Sequence, residues 1–114
     1  LPETNETKGL INDKTMNQMR RGSILINTAR GGLVDELALI RALKSGQIRA
    51  AGLDTLSVEP APVGHPLFSL DNVVITPHLA WLTPETLARS LNIAIDNCDH
   101  LRQGRALVHE IKKP

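Results

Sequence analysis

The stretch Gly22-Ser23-Ile24-Leu25-Ile26-Asn27-Thr28-Ala29-Arg30-Gly31-Gly32-Leu33-Val34-Asp35-Glu36 decides how this chain is read. Its apolar run, Ser23–Asn27, is short and bounded by polar residues. That pattern predicts a strand covered on both faces, as in a parallel sheet. Thr28–Val34 then forms a loop around Gly31-Gly32. Asp35 is a suitable N-cap for a helix that sets Leu37, Ile40 and Leu43 on one side and stops at Gly46.

The neighbouring segments repeat the pattern. Upstream, residues 1–11 are polar and turn-rich. Asn12 caps a short helix through Met16 and Met19 that stops at Gly22. Downstream, Ile48–Leu53 reads as a second strand and Val73–Thr76 as a third. Residues 54–72 between them carry Pro60, Pro62 and Pro66. A connection this long is commonly functional or mobile. Thr83 and Pro84 open a last helix, with threonine as N-cap and proline at N1. Leu87, Leu91, Ala94, Ile95, Cys98 and Leu101 follow at spacings of three and four, which predicts one buried stripe with Cys98 in the core. Gly104 ends this helix, whose length is about 30 Å at 1.5 Å per residue. The weakly alternating tail Leu107–Ile111 could add to another unit. The expected fold is α/β: the C-terminal part of a Rossmann-like parallel sheet. Three strands are few for such a sheet. The chain therefore reads as a piece of a larger domain, with an apolar surface at Met16, Met19, Trp81 and the last helix awaiting a cover.

Composition excludes several classes. The chain has 114 residues, a net charge of +1 and 41% hydrophobic residues. That balance provides no field for nucleic acid or anionic lipid. No stretch is apolar over the ~18 residues a membrane span needs, and no secretory signal opens the chain. One cysteine fits a reducing compartment, hence the cytoplasm. His65, His100 and His109 share no metal-ligand spacing with Cys98 or a carboxylate pair, so neither a metal nor a role is assigned to them. Ser23 and Ser57 lack a nucleophile-elbow context. Trp81 is expected to pack in a core or an interface.

In an open parallel sheet, ligands bind beyond the carboxyl ends of the strands. Three loops leave those ends. They bring Arg30, then Asp54 and Glu59, then His78. Arg30 offers a planar fork for a carboxylate. His78 can exchange a proton near neutral pH. Glu59 can bind and orient an imidazole, and Asp54 can face a ligand amide or cap a turn. Singly, each is as readily a surface or capping residue; their convergence on one edge carries the argument.

Three blocks give the chain its family likeness. Gly22–Glu36, Ala51-Gly-Leu-Asp-Thr-Leu-Ser-Val-Glu-Pro60 and Asn72-Val-Val-Ile-Thr-Pro-His-Leu-Ala-Trp81 resemble, in order and spacing, the D-isomer-specific 2-hydroxyacid dehydrogenases. Ala80-Trp81 is most similar to the glycerate dehydrogenase and hydroxypyruvate reductase branch. The resemblance implies hydride transfer between NAD or NADP and a small 2-oxo or 2-hydroxy acid, in a homodimer. Arg30 would hold the substrate carboxylate, His78 would be the acid/base and Glu59 its partner. Thr28, Ala29, Arg30, Asp54, His78 and Ala80 would line the nicotinamide site. The resemblance also implies that residues 1–103, with the helix 83–103, are the C-terminal half of the nucleotide-binding domain. Residues 104–114 would return to a substrate domain. Two departures stand out. Thr55-Leu56 occupies a place where an aromatic is common, so the packing under Glu59 is expected to differ. No Gly-x-Gly-x-x-Gly occurs in the chain, so the phosphate-gripping turn is expected upstream. A corepressor built on the same fold, or an inactive truncated product, are the alternative readings.

Overall fold

In the computed structural model, which describes residues 1–110, the elements follow the order read from sequence. They are helix α1 (Asp13–Gln18), strand β1 (Ser23–Asn27), helix α2 (Glu36–Ser45), strand β2 (Ile48–Leu53), strand β3 (Val73–Ile75) and helix α3 (Pro84–Arg102). Single 3-10 turns lie at Gly31–Leu33 and Pro66–Ser69. The expected tail runs on into residues 111–114, which lie outside the described residues. The chain divides into two units, Leu1–Ala80 and Trp81–Pro114.

The first unit is a parallel three-stranded sheet in the order β1-β2-β3. Each helix end is satisfied locally. Asn12 and Thr15 form a reciprocal capping box on α1, and the Asp35 carboxylate accepts the Ala38 amide at the start of α2. Gly46 stops α2 in the left-handed conformation at φ 74°. Gln47 Nε2 donates to the Met16 and Met19 carbonyls and so closes the other end of α1.

Met16, Leu39, Ile48 and Leu67 are fully buried, and with Ala38, Ala42, Leu43, Ala51 and Leu53 they form one core between α2 and the sheet. Three expectations are corrected here. The face of α2 that enters the core is Ala38, Leu39, Ala42 and Leu43, whereas Leu37 is 66% exposed. The α2 stripe is thus rotated by about one residue from the one read off Leu37, Ile40 and Leu43, because the small alanines let the helix settle closely on β2. Second, β1 is not covered on both faces: Ile24 and Ile26 are exposed, as is Val74 in β3. They pair across the sheet through Ala50 and Gly52 on the face opposite α2. Third, Met16 is not on the surface but in the core.

A local irregularity explains why β2 does not alternate simply. Ser23 pairs with Ile48, but Ile24 pairs with Ala50, so Arg49 is an extra residue. A bulge of one residue inverts the side-chain parity. It brings Ile48 onto the same buried face as Ala51 and Leu53.

In the second unit Thr83 caps α3 by accepting the Thr86 amide, and Pro84 stands at N1. The helix ends as expected, with Gly104 at φ 66° and the Arg105 amide returning to the His100 carbonyl. The Asn97 side chain both donates to and accepts from the Val108 backbone, which ties down the segment after the helix. The expected buried stripe is not found: no residue of α3 is buried, Leu87, Leu91, Ile95 and Leu101 are exposed, and Cys98 is exposed rather than core. Trp81 is 54% exposed, so it too is no core residue. This matches the apolar surface expected of a piece of a larger domain. No helix among the described residues is long and apolar enough to cross a membrane.

The corrected face of α2 yields a direct test. Leu39→Ala should cost about 2–5 kcal/mol, the usual loss for a leucine deleted from a core. Leu37→Ala should change stability by less than about 0.5 kcal/mol. Urea unfolding of the two variants checks this, and equal losses would refute the observed helix orientation.

Candidate active site

The carboxyl ends of the three strands are in register, with Asn27 beside Leu53 and Leu53 beside Ile75. Each end runs into a loop that is fixed by a polar side chain. At β1, Asn27 is buried; its Nδ2 donates to the Arg30 carbonyl at 2.8 Å and its Oδ1 accepts the Ala29 amide at 3.1 Å. This Asx-type turn shapes the Thr28–Arg30 loop. Arg30 itself is exposed, and its Nη1 donates to the Ala29 carbonyl at 2.6 Å.

At β2, Asp54 is 4% exposed. Its Oδ1 accepts the Thr76 hydroxyl and the Leu79 amide (2.8 Å), and its Oδ2 accepts the Ala80 amide (2.8 Å). The Thr76 hydrogen bond, then the two amides and the nearby His78, hold the Asp54 carboxyl below the ordinary aspartate range, against the opposing effect of burial. Asp54 is therefore an anion that fixes the whole loop after β3. A carboxylate offers roughly four acceptor directions. Three are used here.

That loop holds His78 at φ 55°, a left-handed conformation that costs a non-glycine residue of order 1–3 kcal/mol. The Asp54 bonds on its far side and the His78 amide bond to the Thr76 carbonyl (3.0 Å) offset the cost. So placed, His78 Nδ1 lies 2.8 Å from Glu59 Oε2. Glu59 Oε1 accepts the Leu56 amide at 2.9 Å. The His78 hydrogen bond, followed by the Leu56 amide, lowers the Glu59 carboxyl below its ordinary value. The ionised carboxylate is an acceptor only, so Nδ1 carries a proton in this pair.

Two hollows adjoin these groups. One of about 480 Å³ is lined by Glu59, His78, Asp54, Thr76 and apolar residues including Phe68. The other, about 350 Å³, is lined by Thr28, Gly52, Asp54, Val74, Thr76 and Ala80, among others. Of the expected site residues, Asp54, Glu59, His78, Thr28 and Ala80 thus border one hollow or the other. Arg30 and Ala29 border neither, although they sit on the same edge of the sheet. β1 and β3 are separated by one strand, so their ends are roughly 10 Å apart. A small substrate and the long arginine side chain can span that gap. Among the described residues no cluster could hold a metal ion.

Two residues with roles here were not singled out from sequence: Asn27 and Thr76. For Asn27 a signal existed, since asparagine at a strand end favours a side-chain-capped turn. For Thr76 only the tertiary fold brings its partner, Asp54, within reach.

The lowered carboxyls of Glu59 and Asp54 fix a sign. A group titrating lower in the folded than in the unfolded chain adds stability above its unfolded pKa, and that stability is lost as pH falls through the folded value. Stability should therefore decline on acidification below the ordinary carboxylate range. His78→Ala should move the Glu59 titration upward, because its largest stabilising bond is gone. Carboxyl carbon NMR against pH measures both; an unmoved Glu59 would break the assigned pair.

Comparison with known proteins agrees with this geometry. Residues 1–80 match the family described as D-isomer specific 2-hydroxyacid dehydrogenase, NAD binding domain. The chain is 42% identical over 107 residues to a glycerate dehydrogenase of Methylorubrum extorquens, covering 92% of this chain and 34% of that protein. It is 47% identical over 105 residues to a glyoxylate/hydroxypyruvate reductase B of Citrobacter koseri, covering 92% and 32%. It therefore spans about a third of the length of these curated relatives. Among solved structures, a D-isomer specific 2-hydroxyacid dehydrogenase from Xanthobacter autotrophicus in complex with NADPH superposes with a TM-score of 0.80 at 44% identity, over 98% of this chain and 46% of that one. A D-lactate dehydrogenase with NAD+ from Lactobacillus jensenii gives 0.88 at 33% identity, over 99% and 38%. With Asp54, Glu59 and His78 on the edge where such sheets bind ligands, the chain belongs to the NAD-binding-domain family of the D-isomer specific 2-hydroxyacid dehydrogenases.

Proposed function

We propose that the whole protein reduces a small 2-oxo acid, such as hydroxypyruvate or glyoxylate, to the D-2-hydroxy acid with NADH or NADPH. The observation that carries this reading is the 2.8 Å contact of Glu59 with His78 Nδ1, on a loop fixed by the buried Asp54. It leaves an acid/base of fixed orientation at the carboxyl edge of a parallel sheet.

The nicotinamide end of the cofactor suits the residues present. The hollow beside Thr28, Gly52 and Ala80 is walled by small and apolar groups, as a flat heteroaromatic ring requires. Asp54 has an acceptor direction left for a carboxamide. Arg30 and Ala29, which border neither hollow, would reach toward the same ring from the β1 loop. When bound, the cofactor supplies the hydride. His78, protonated on both ring nitrogens, would give the Nε2 proton to the carbonyl oxygen of the substrate while Nδ1 keeps its proton toward Glu59. The Arg30 guanidinium holds the substrate carboxylate and, with His78, offsets the charge growing on the oxygen. Glu59 keeps the imidazole oriented through the cycle. In the reverse direction His78 takes the hydroxyl proton.

The exposed apolar residues of β1, β3 and α3 suit coverage by the rest of the protein or by a second copy, in keeping with a cytoplasmic homodimer. On this reading residues 1–103 are the later half of the nucleotide-binding domain, and 104–114 lead toward the substrate domain.

His78→Gln should lower kcat by roughly 10²–10⁴-fold, the usual worth of a positioned acid/base. Arg30→Lys keeps the charge but loses the fork, so KM should rise and kcat fall together. Glu59→Gln should be milder than His78→Gln, since the amide can still accept from Nδ1. Steady-state assays with hydroxypyruvate and NADH or NADPH test all three. Full activity in the His78 variant would end the proposal.

A further inference from the structure

The connection from Asp54 to Asn72 carries Glu59, yet it is held from outside by a residue that the proposed reaction does not use. Glu36, in the first turn of α2, has a side chain only 15% exposed. Its Oε1 accepts the Ser57 amide at 2.7 Å, and its Oε2 lies 3.3 Å from His65 Nε2. The His65 side chain is 13% exposed and tilts against Phe68. Its Nδ1 accepts the Leu67 amide, so the ring proton sits on Nε2, the nitrogen that faces Glu36. One carboxylate thus ties the early part of the connection, at Ser57, to its later part, at His65.

The tie lands next to the acid/base partner. Leu56 and Ser57 are consecutive amides: the first donates to Glu59 and the second to Glu36. The same peptide rests on Gly31, where an added Cβ would overlap the Leu56 carbonyl and the Ser57 nitrogen. The backbone that grips Glu59 is therefore clamped between Gly31 on one side and the Glu36 carboxylate on the other.

From this geometry we infer that Glu36, with His65, is a positioning residue for the Glu59–His78 pair. It acts through the Leu56-Ser57 peptide and touches no substrate. The inference rests on the reading of His78 as the acid/base. Charge-assisted bonds are the stronger kind, and the Glu36 and His65 side chains are largely shielded from water. Losing it frees the Glu59 loop. Misplacing a catalytic group by about 1 Å can cost up to roughly 10²-fold in rate.

The test has two arms, both in the whole protein. In the first, Glu36→Ala should lower kcat with hydroxypyruvate by about tenfold while KM stays within about twofold, since no substrate contact is lost. Should that variant fail to fold, Glu36→Gln takes its place. It keeps an acceptor for Ser57 and should lose less, about threefold. His65→Gln, which keeps a donor near Nε2, should retain more activity than His65→Phe. In the second arm, carboxyl carbon NMR follows Glu59. Removing the negative Glu36 would by itself lower the Glu59 pKa. An upward move in Glu36→Ala or Glu36→Gln can therefore come only from loosened bonds to His78 and Leu56, and it is the expected result. An unmoved or lowered Glu59 titration overturns the inference, whatever the rate does. If instead Glu59 rises while His78→Gln keeps full activity, the clamp stands and the acid/base reading falls.

Discussion

The Asp54 carboxylate is the anchor on which the site's geometry depends. It stands directly after β2, the central strand, where the sheet's register is fixed by neighbours on both sides. Buried there, a carboxylate must be matched by donors, and the side-chain and amide donors that match it belong to the loop after β3. Thr76, Leu79 and Ala80 meet that demand, and in doing so they bracket Pro77 and His78. The left-handed backbone of His78 thus goes with a hydrogen-bonding requirement of the loop, not with the preference of histidine. With the loop so set, the His78 imidazole meets Glu59.

Glu59 reaches His78 from a very different kind of segment. The connection after Asp54 has no strand, only a 3-10 turn at Pro66–Ser69. Such a segment holds a catalytic geometry only if its own backbone groups are tied down. Leu56 and Ser57 are tied by two carboxylates, Leu67 sits fully in the core, and Gly31 allows the closest approach of the β1 loop. The site is built from loops, but every loop is fastened to an element of the sheet–helix core. That is why a pair of half-exposed side chains can keep a 2.8 Å contact.

The sequence made the elements legible and their faces less so. The caps at Asn12, Asp35 and Thr83 and the stops at Gly46 and Gly104 mark helix ends through local chemistry, so they can be read without a fold. The buried face of α2 is different. Leu37 and Leu39 are chemically equivalent, and only contact with β2 decides which enters the core. The bulge at Arg49 is likewise invisible, because no glycine or proline signals it. For the site, the edge of the sheet told where Asp54, Glu59 and His78 would meet, whereas Arg30 stands on that edge but borders neither hollow. It could not tell that Asp54 spends three acceptor directions on the loop after β3, nor that Glu36 and His65 would meet across 29 positions of sequence. Those are long-range pairings, and local pattern carries no trace of them.

The exposed apolar faces fit the same logic. A parallel sheet is stable when both of its faces are covered. Here α2 covers one, while Ile24, Ile26 and Val74 stand open on the other, and α3 carries a stripe of exposed leucines and isoleucine. Soluble proteins rarely leave contiguous surfaces of this kind to water unless something docks there. The relatives are about three times longer than this chain. On the proposed reading, what the chain holds by itself is the reacting half of a cofactor site: the acid/base, its carboxylate partner and the wall beside the nicotinamide. It contains no glycine-rich turn for the pyrophosphate. The division is physically reasonable, because the two tasks make different demands. Phosphate binding needs backbone amides at a helix N-terminus, whereas proton transfer needs one imidazole held to within a fraction of an ångström. The hydrogen bonds of Asp54, Glu59 and Glu36 that shape this site all close within the first unit.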